Sequence, residues 1–182
     1  MKRNILILPL VVVAATLIAA CKGEDKKKTP QFIAPKVEKK LPGEPISMQQ
    51  YNQQKTVEWG GKTVDISIER LPDNTLPMVE DEDGQKFVDN IISLKIVREG
   101  KTVMQRQFKK STFAGYLDED YKKTGILEGL VFDKVEGDKL RFAASVCHPQ
   151  TDEYIPLVML VGHNGTIQID KDTTMDVENE ER

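Results

Sequence analysis

From about residue 56 onward, apolar residues recur at every second position in short runs separated by turn formers. Val64, Ile66 and Ile68 alternate with Asp65, Ser67 and Glu69, as in a strand with one buried face. Gly60-Gly61 predicts a tight hairpin joining this strand to Thr56–Trp59. Ile92, Leu94 and Ile96 repeat the pattern, and Glu99-Gly100 turns the chain into Thr102–Phe108. Leu130 and Phe132 mark another strand, and Glu136-Gly137-Asp138 leads into Leu140, Phe142, Ala144 and Val146 on one face. Tyr154 to Val161 is apolar on both faces, as expected of a central strand covered twice, with Pro156 near its start. Asn164-Gly165 predicts a hairpin into Ile167 and Ile169, and Asp83-Gly84 one more.

One helix is predicted. Ser111 can cap it, Phe113, Tyr116 and Leu117 share a face, and Gly125 ends its continuation through Asp118–Lys123. About eight strands and one short helix point to a mainly β domain, an antiparallel meander closing into a sandwich or a partly open barrel. Its expected span is 51–172, and an acidic, polar tail occupies 173–182.

The beginning of the chain has a different pattern. Met1 to Asn4 is short and basic, Ile5 to Leu17 is an apolar run, and Ile18-Ala19-Ala20 precedes Cys21. That is the layout of a cleaved signal peptide over 1–20, with fewer apolar residues than the ~17–25 of a spanning helix. Ile18-Ala19-Ala20-Cys21 resembles the lipobox of bacterial lipoproteins. The resemblance implies cleavage after Ala20 and acylation of Cys21, so that two or more chains hold the protein stably at a membrane. Lys22 stands where an aspartate would resemble an inner-membrane retention signal, which favours the outer membrane. Glu24-Asp25 resembles a surface-export signal, diluted by Lys26-Lys27-Lys28; the periplasmic and surface faces both stay open.

Composition sharpens this division. Residues 21–50 read as a Pro- and Lys-rich tether: between Lys22 and Pro45 lie four of the nine prolines and seven lysines against four acids. The remaining 46–182 segment has 17 basic and 25 acidic residues, a balance of −8. The whole chain carries −3, which argues against a nucleic-acid partner.

Candidate chemistry is sparse. Cys147 and His148, as strand neighbours, point to opposite faces and cannot form a dyad, and His163 lies beyond the far end of Tyr154–Val161. Asp81 and Asp83 lie in the acidic run Glu80–Asp83 before Gly84. Val79 stands where an EF-hand loop needs an oxygen ligand, which leaves only a looser calcium site. Neither a metal nor a cofactor is expected. Asp118, Glu119, Asp120, Asp133, Asp152 and Glu153 offer carboxylate pairs for glycan hydrolysis, but such pairs arise by chance among 25 acids. Trp59 and Tyr51 are candidate aromatic contacts for a glycan or protein, against the alternative that Trp59 folds over the sheet edge. Asp172-Thr173-Thr174 resembles a periplasmic O-glycosylation acceptor, with Thr173 as its site.

Arg70-Leu71-Pro72-Asp73, Asp89-Asn90, Phe108-Lys109-Lys110 with Phe113, and Thr151-Asp152-Glu153-Tyr154 carry a wider resemblance. From Cys21 through Ile169 the chain resembles an uncharacterised family of small Gram-negative lipoproteins known only as a domain of unknown function. The resemblance implies an anchored, mostly β envelope protein and no catalytic residues. The expected role is binding or scaffolding on a protein, glycan or envelope component. A carboxylate-based hydrolase is one alternative; an inhibitor of a hydrolase, presenting a rigid loop such as 149–153, is another.

Overall fold

The computed structural model describes residues 43–173. The expected signal peptide, Cys21, most of the expected tether and residues 174–182 lie outside them. Ten strands and two short helices make up this region. The first sheet contains β1 (Tyr51–Trp59), β2 (Lys62–Pro72), β5 (Asn90–Arg98) and β6 (Lys101–Phe108), in that order. The second contains β7 (Ile126–Glu136), β8 (Lys139–Cys147), β9 (Tyr154–Val161) and β10 (Ile167–Lys171), also in meander order. Two-residue strands β3 (Val79–Glu80) and β4 (Lys86–Phe87) form a small hairpin within the β2–β5 connection.

The inward residues of both sheets fuse into one core. Val64, Ile66 and Ile68 of β2 and Ile92, Leu94 and Ile96 of β5 meet Leu140, Phe142 and Val146 of β8 and Leu157, Met159 and Val161 of β9. All are essentially inaccessible to solvent, and full burial of such a side chain is worth about 1.5–3 kcal/mol. The two sheets form a sandwich, which is the predicted class with two more strands than expected.

Strand β7 joins the layers. It passes from Asp89 and Asn90 at the start of β5, past Arg70 of β2, to Gln53 of β1, whose Oε1 accepts the N–H of Phe132 at 2.9 Å. Register breaks at Glu128 and Asp133 make this crossing workable. A bulge leaves an unpaired residue and bends the strand; here it frees the Glu128 carbonyl to accept from Arg70.

Local features depart from expectation in four places. The single helix is two elements, a 3₁₀ helix (Lys110–Tyr116) and α1 (Glu119–Thr124). Leu117 interrupts them in an extended conformation (ψ 143°), and Asp118, not Ser111, caps α1 by accepting the N–H of Tyr121. Asn164-Gly165 sits in a five-residue loop rather than a two-residue turn, with Asn164 Oδ1 accepting from Thr166. The outer face of β9 is only partly covered, since Pro156 and Leu160 stay half-exposed, although the strand lies between β8 and β10. Residues 46–48, expected within the tether, lie on the domain instead. Ile46 bridges Phe87, and Met48 packs against Val79, Phe87, Ile126 and Cys147.

Candidate functional site

Connection length divides the sandwich into two ends. Tight turns at Gly60-Gly61, Glu99-Gly100 and Gly137-Asp138, with the 162–166 loop, close one end. There the sole tryptophan is clamped: Trp59 Nε1 donates to the Asp138 carbonyl at 3.0 Å, and the ring stacks on His163 at 4.1 Å. The Arg98 guanidinium lies 5.5 Å from the same ring and contacts His163 Nδ1 at 2.9 Å. Trp59 has no exposed surface, so it folds over the sheet edge rather than offering a stacking platform. Tyr51 lies at the opposite end, partly exposed, with the Arg70 guanidinium 5.9 Å from its ring.

That opposite end gathers every long connection: residues 73–89, 109–125 and 148–153, and the incoming segment 43–50. A buried polar latch holds them together. Asp89, 5% exposed, accepts the N–H groups of Asn90 and Leu127 on one oxygen, each at 2.8 Å. Asn90, fully buried, donates to the Leu127 carbonyl at 2.8 Å and to Met48 Sδ at 3.4 Å. These two side chains complete the backbone hydrogen bonding where β7 departs from β5, as buried peptide groups require. Burial pushes the Asp89 carboxyl above its ordinary range, against the pull of the two N–H donors. Burial also lowers Lys110, whose Nζ donates to the Gly125 carbonyl at 2.5 Å, while Asp89 opposes that shift. Arg70 adds a second clasp, donating to the carbonyls of Glu128 and Gln49.

Three clefts open between these loops. The first, about 210 Å³, lies between the 76–79 segment and the lysines of the two helices. The second, about 270 Å³, has Asp81, Glu82, Asp120 and His148 in its walls. The third, also about 270 Å³, lies beyond Pro149 against Ile46, Met48 and Cys147.

His148 is the nearest approach to a reactive group. Its ring stacks on Tyr121 at 4.0 Å, with Asp120 Oδ2 3.3 Å from Nε2 and Glu153 Oε2 3.2 Å from Nδ1. Two of the carboxylates considered for hydrolysis thus flank a histidine, but both are largely exposed. Asp118 is spent on the α1 cap and Asp133 on Arg141. Burial pushes the Cys147 thiol up to about 11, which keeps it protonated and unreactive near neutral pH. Asp81 Oδ1 accepts the N–H groups of Asp83 and Gln85 at 3.0 and 2.9 Å, so this carboxylate organises the acidic hairpin tip. Among the described residues, no group of three or more His, Cys, Asp or Glu side chains could hold a metal ion. Thr173 is exposed just after β10, beside Asp172, whose buried carboxylate pairs with Arg141.

The latch escapes sequence reasoning because no local pattern links Asp89 and Asn90 to Leu127, 38 and 37 positions away. The available signal was a polar pair inserted in the apolar run Phe87-Val88 to Ile91-Ile92. Arg70, Asp89-Asn90 and Lys109-Lys110, the groups behind the family resemblance, meet at this end of the fold. Comparison with curated proteins finds no match. The family model described as Domain of unknown function (DUF4738) matches residues 33–169, which covers both sheets up to Ile169 of β10, and the chain belongs to that family.

Proposed function

We propose that this is a lipid-anchored envelope protein, held at the outer membrane through acylated Cys21, whose acidic β sandwich serves as a binding module. The observation that carries this reading is the sequence Ile18-Ala19-Ala20-Cys21 behind a basic start and an apolar run. The division of the domain into a clamped end and a loop-rich end supports the binding role, because loops on a rigid scaffold commonly carry recognition. Expression of the full chain in a Gram-negative host, with mass spectrometry of the mature terminus, tests the anchor. Acyl mass on Cys21, and release into the aqueous phase by Cys21→Ser, are expected. An unmodified Cys21 at the terminus, with the protein free in aqueous extract, refutes it.

One feature favours the inhibitor reading as a second choice. The 149–153 loop is internally braced: Thr151 Oγ1 donates to the His148 carbonyl at 3.0 Å and accepts the Glu153 N–H at 3.1 Å. Gln150 meanwhile holds a φ of 60°, and a braced loop loses little freedom on binding. Inhibition of envelope glycan hydrolases by the chain, abolished by Thr151→Ala, would move this reading to first place.

A further inference from the structure

We propose that the cleft between the 76–79 segment and the lysines of the two helices binds an anionic amphiphile, a single phosphate or carboxylate head on an alkyl chain. Two features of one cavity carry the inference. Its walls include Leu76, Pro77, Met78 and Val79, an apolar surface on which Met78 is 41% exposed. Its rim carries Lys109 and Lys110 at the start of the 3₁₀ helix and Lys122 and Lys123 in the last turn of α1. Residues 43–173 hold 16 basic and 22 acidic side chains, so a quarter of the cations of an acidic domain border one small opening.

The nearby carboxylates are accounted for. Asp89 lies in the wall, but one of its oxygens is already occupied by the N–H groups of Asn90 and Leu127. Glu119 holds Lys122 at 2.7 Å, and Asp73 Oδ1 accepts the N–H and the hydroxyl of Thr75 at 2.8 and 2.7 Å. Lys110 is fixed on the Gly125 carbonyl, a positive charge behind the opening. Lys109 and Lys123, both exposed, are left to engage the head group. A free small anion would leave the apolar wall unused, whereas a head with attached methylenes covers both surfaces. The volume of about 210 Å³ is below the roughly 300–1,000 Å³ of pockets that enclose drug-sized ligands. It admits the head and the first few carbons, with the remaining chain lying across Met78. The inference is independent of acylation at Cys21.

The test uses the full chain with Cys21→Ser, labelled at its methionine methyls and followed by NMR, titrated with octyl phosphate below its micelle concentration, inorganic phosphate, or octyl glucoside. The Met78 methyl is expected to shift with octyl phosphate at concentrations at least ~10-fold lower than with inorganic phosphate, a difference of about 1.4 kcal/mol. Buried Met104 should stay in place. Lys109→Gln with Lys123→Gln should weaken the response at least ~10-fold while the circular dichroism spectrum stays native. Equal potency of inorganic phosphate would overturn the proposal in favour of a simple anion site. Equal potency of octyl glucoside would overturn it in favour of an uncharged apolar cleft. An undiminished response in the double variant, or shifts confined to Met48 in the neighbouring cleft, would place binding elsewhere and overturn it as well.

Discussion

Removing the Asp89 carboxylate tests whether the latch holds the layers together. In Asp89→Ala the N–H groups of Asn90 and Leu127, each bonded at 2.8 Å, lose their acceptor in a buried setting. An unsatisfied buried donor costs about 1–3 kcal/mol, so the pair costs about 2–6 kcal/mol, a large share of the roughly 5–15 kcal/mol that stabilises a domain. Urea unfolding followed by Trp59 fluorescence should show a midpoint about 1–3 M lower, taking a slope near 2 kcal/mol per M. Asp89→Asn separates hydrogen bonding from charge, because its amide oxygen can still accept both N–H groups. Burial raises the Asp89 pKa above its ordinary 3.8, so between that value and the raised one the native state binds more protons than the unfolded chain. The stability contributed by this group is therefore complete below 3.8 and is lost as pH rises through the raised value. The asparagine variant has no such loss and should gain on the wild type across that window, then run parallel to it. A cost below about 0.5 kcal/mol for Asp89→Ala, the usual range for surface changes, would refute the latch. A gap that moves the opposite way with pH would refute the role of burial.

Three further outcomes follow from single contacts. Trp59→Phe gives up the Nε1 bond to the Asp138 carbonyl and part of the stack on His163. It should cost about 2–3 kcal/mol, read by chemical denaturation with circular dichroism. Gly125→Ala should lower the melting temperature well below that of Gly115→Ala. A Cβ at 125 would lie 2.7 Å from the Tyr121 carbonyl oxygen and 2.9 Å from Val146 Cγ1, whereas one at 115 meets nothing within 4 Å. With its thiol pushed up to about 11 and buried, Cys147 should resist iodoacetamide at pH 8 in the native protein and react in urea, as mapped by peptide mass spectrometry.

Much of the sandwich is written in local pattern. Val64-Ile66-Ile68 and Ile92-Leu94-Ile96 alternate because one face is buried and the other wet. Gly60-Gly61, Glu99-Gly100 and Gly137 mark turns that need positive φ, which all five residues adopt. The helical region was less legible. Phe113, Tyr116 and Leu117 suit one continuous helix, yet the chain runs as a 3₁₀ helix only to Tyr116, turns extended at buried Leu117 and restarts as α1, so tertiary packing overrides spacing. The loop-rich end was least legible. Its clefts draw walls from segments dozens of residues apart, and its latch pairs Asp89 and Asn90 with Leu127, 38 and 37 positions away. Cys147 and His148 are adjacent in sequence, but the groups that surround the His148 ring are Asp120 and Tyr121 of α1 and Glu153 of the 148–153 connection.

Because the order of strands in space nearly follows the order in the chain, each sheet is made wholly from one contiguous half of the domain. Backbone pairing never trades a strand between the halves, and residues 109–125 are the single covalent bridge between them. A cut within that bridge would leave two pieces with intact ladders and matching bare apolar faces. Such pieces are suited to reassembly from separate polypeptides, so this protein should behave as a natural split reporter whose reconstitution depends on the seam between its layers.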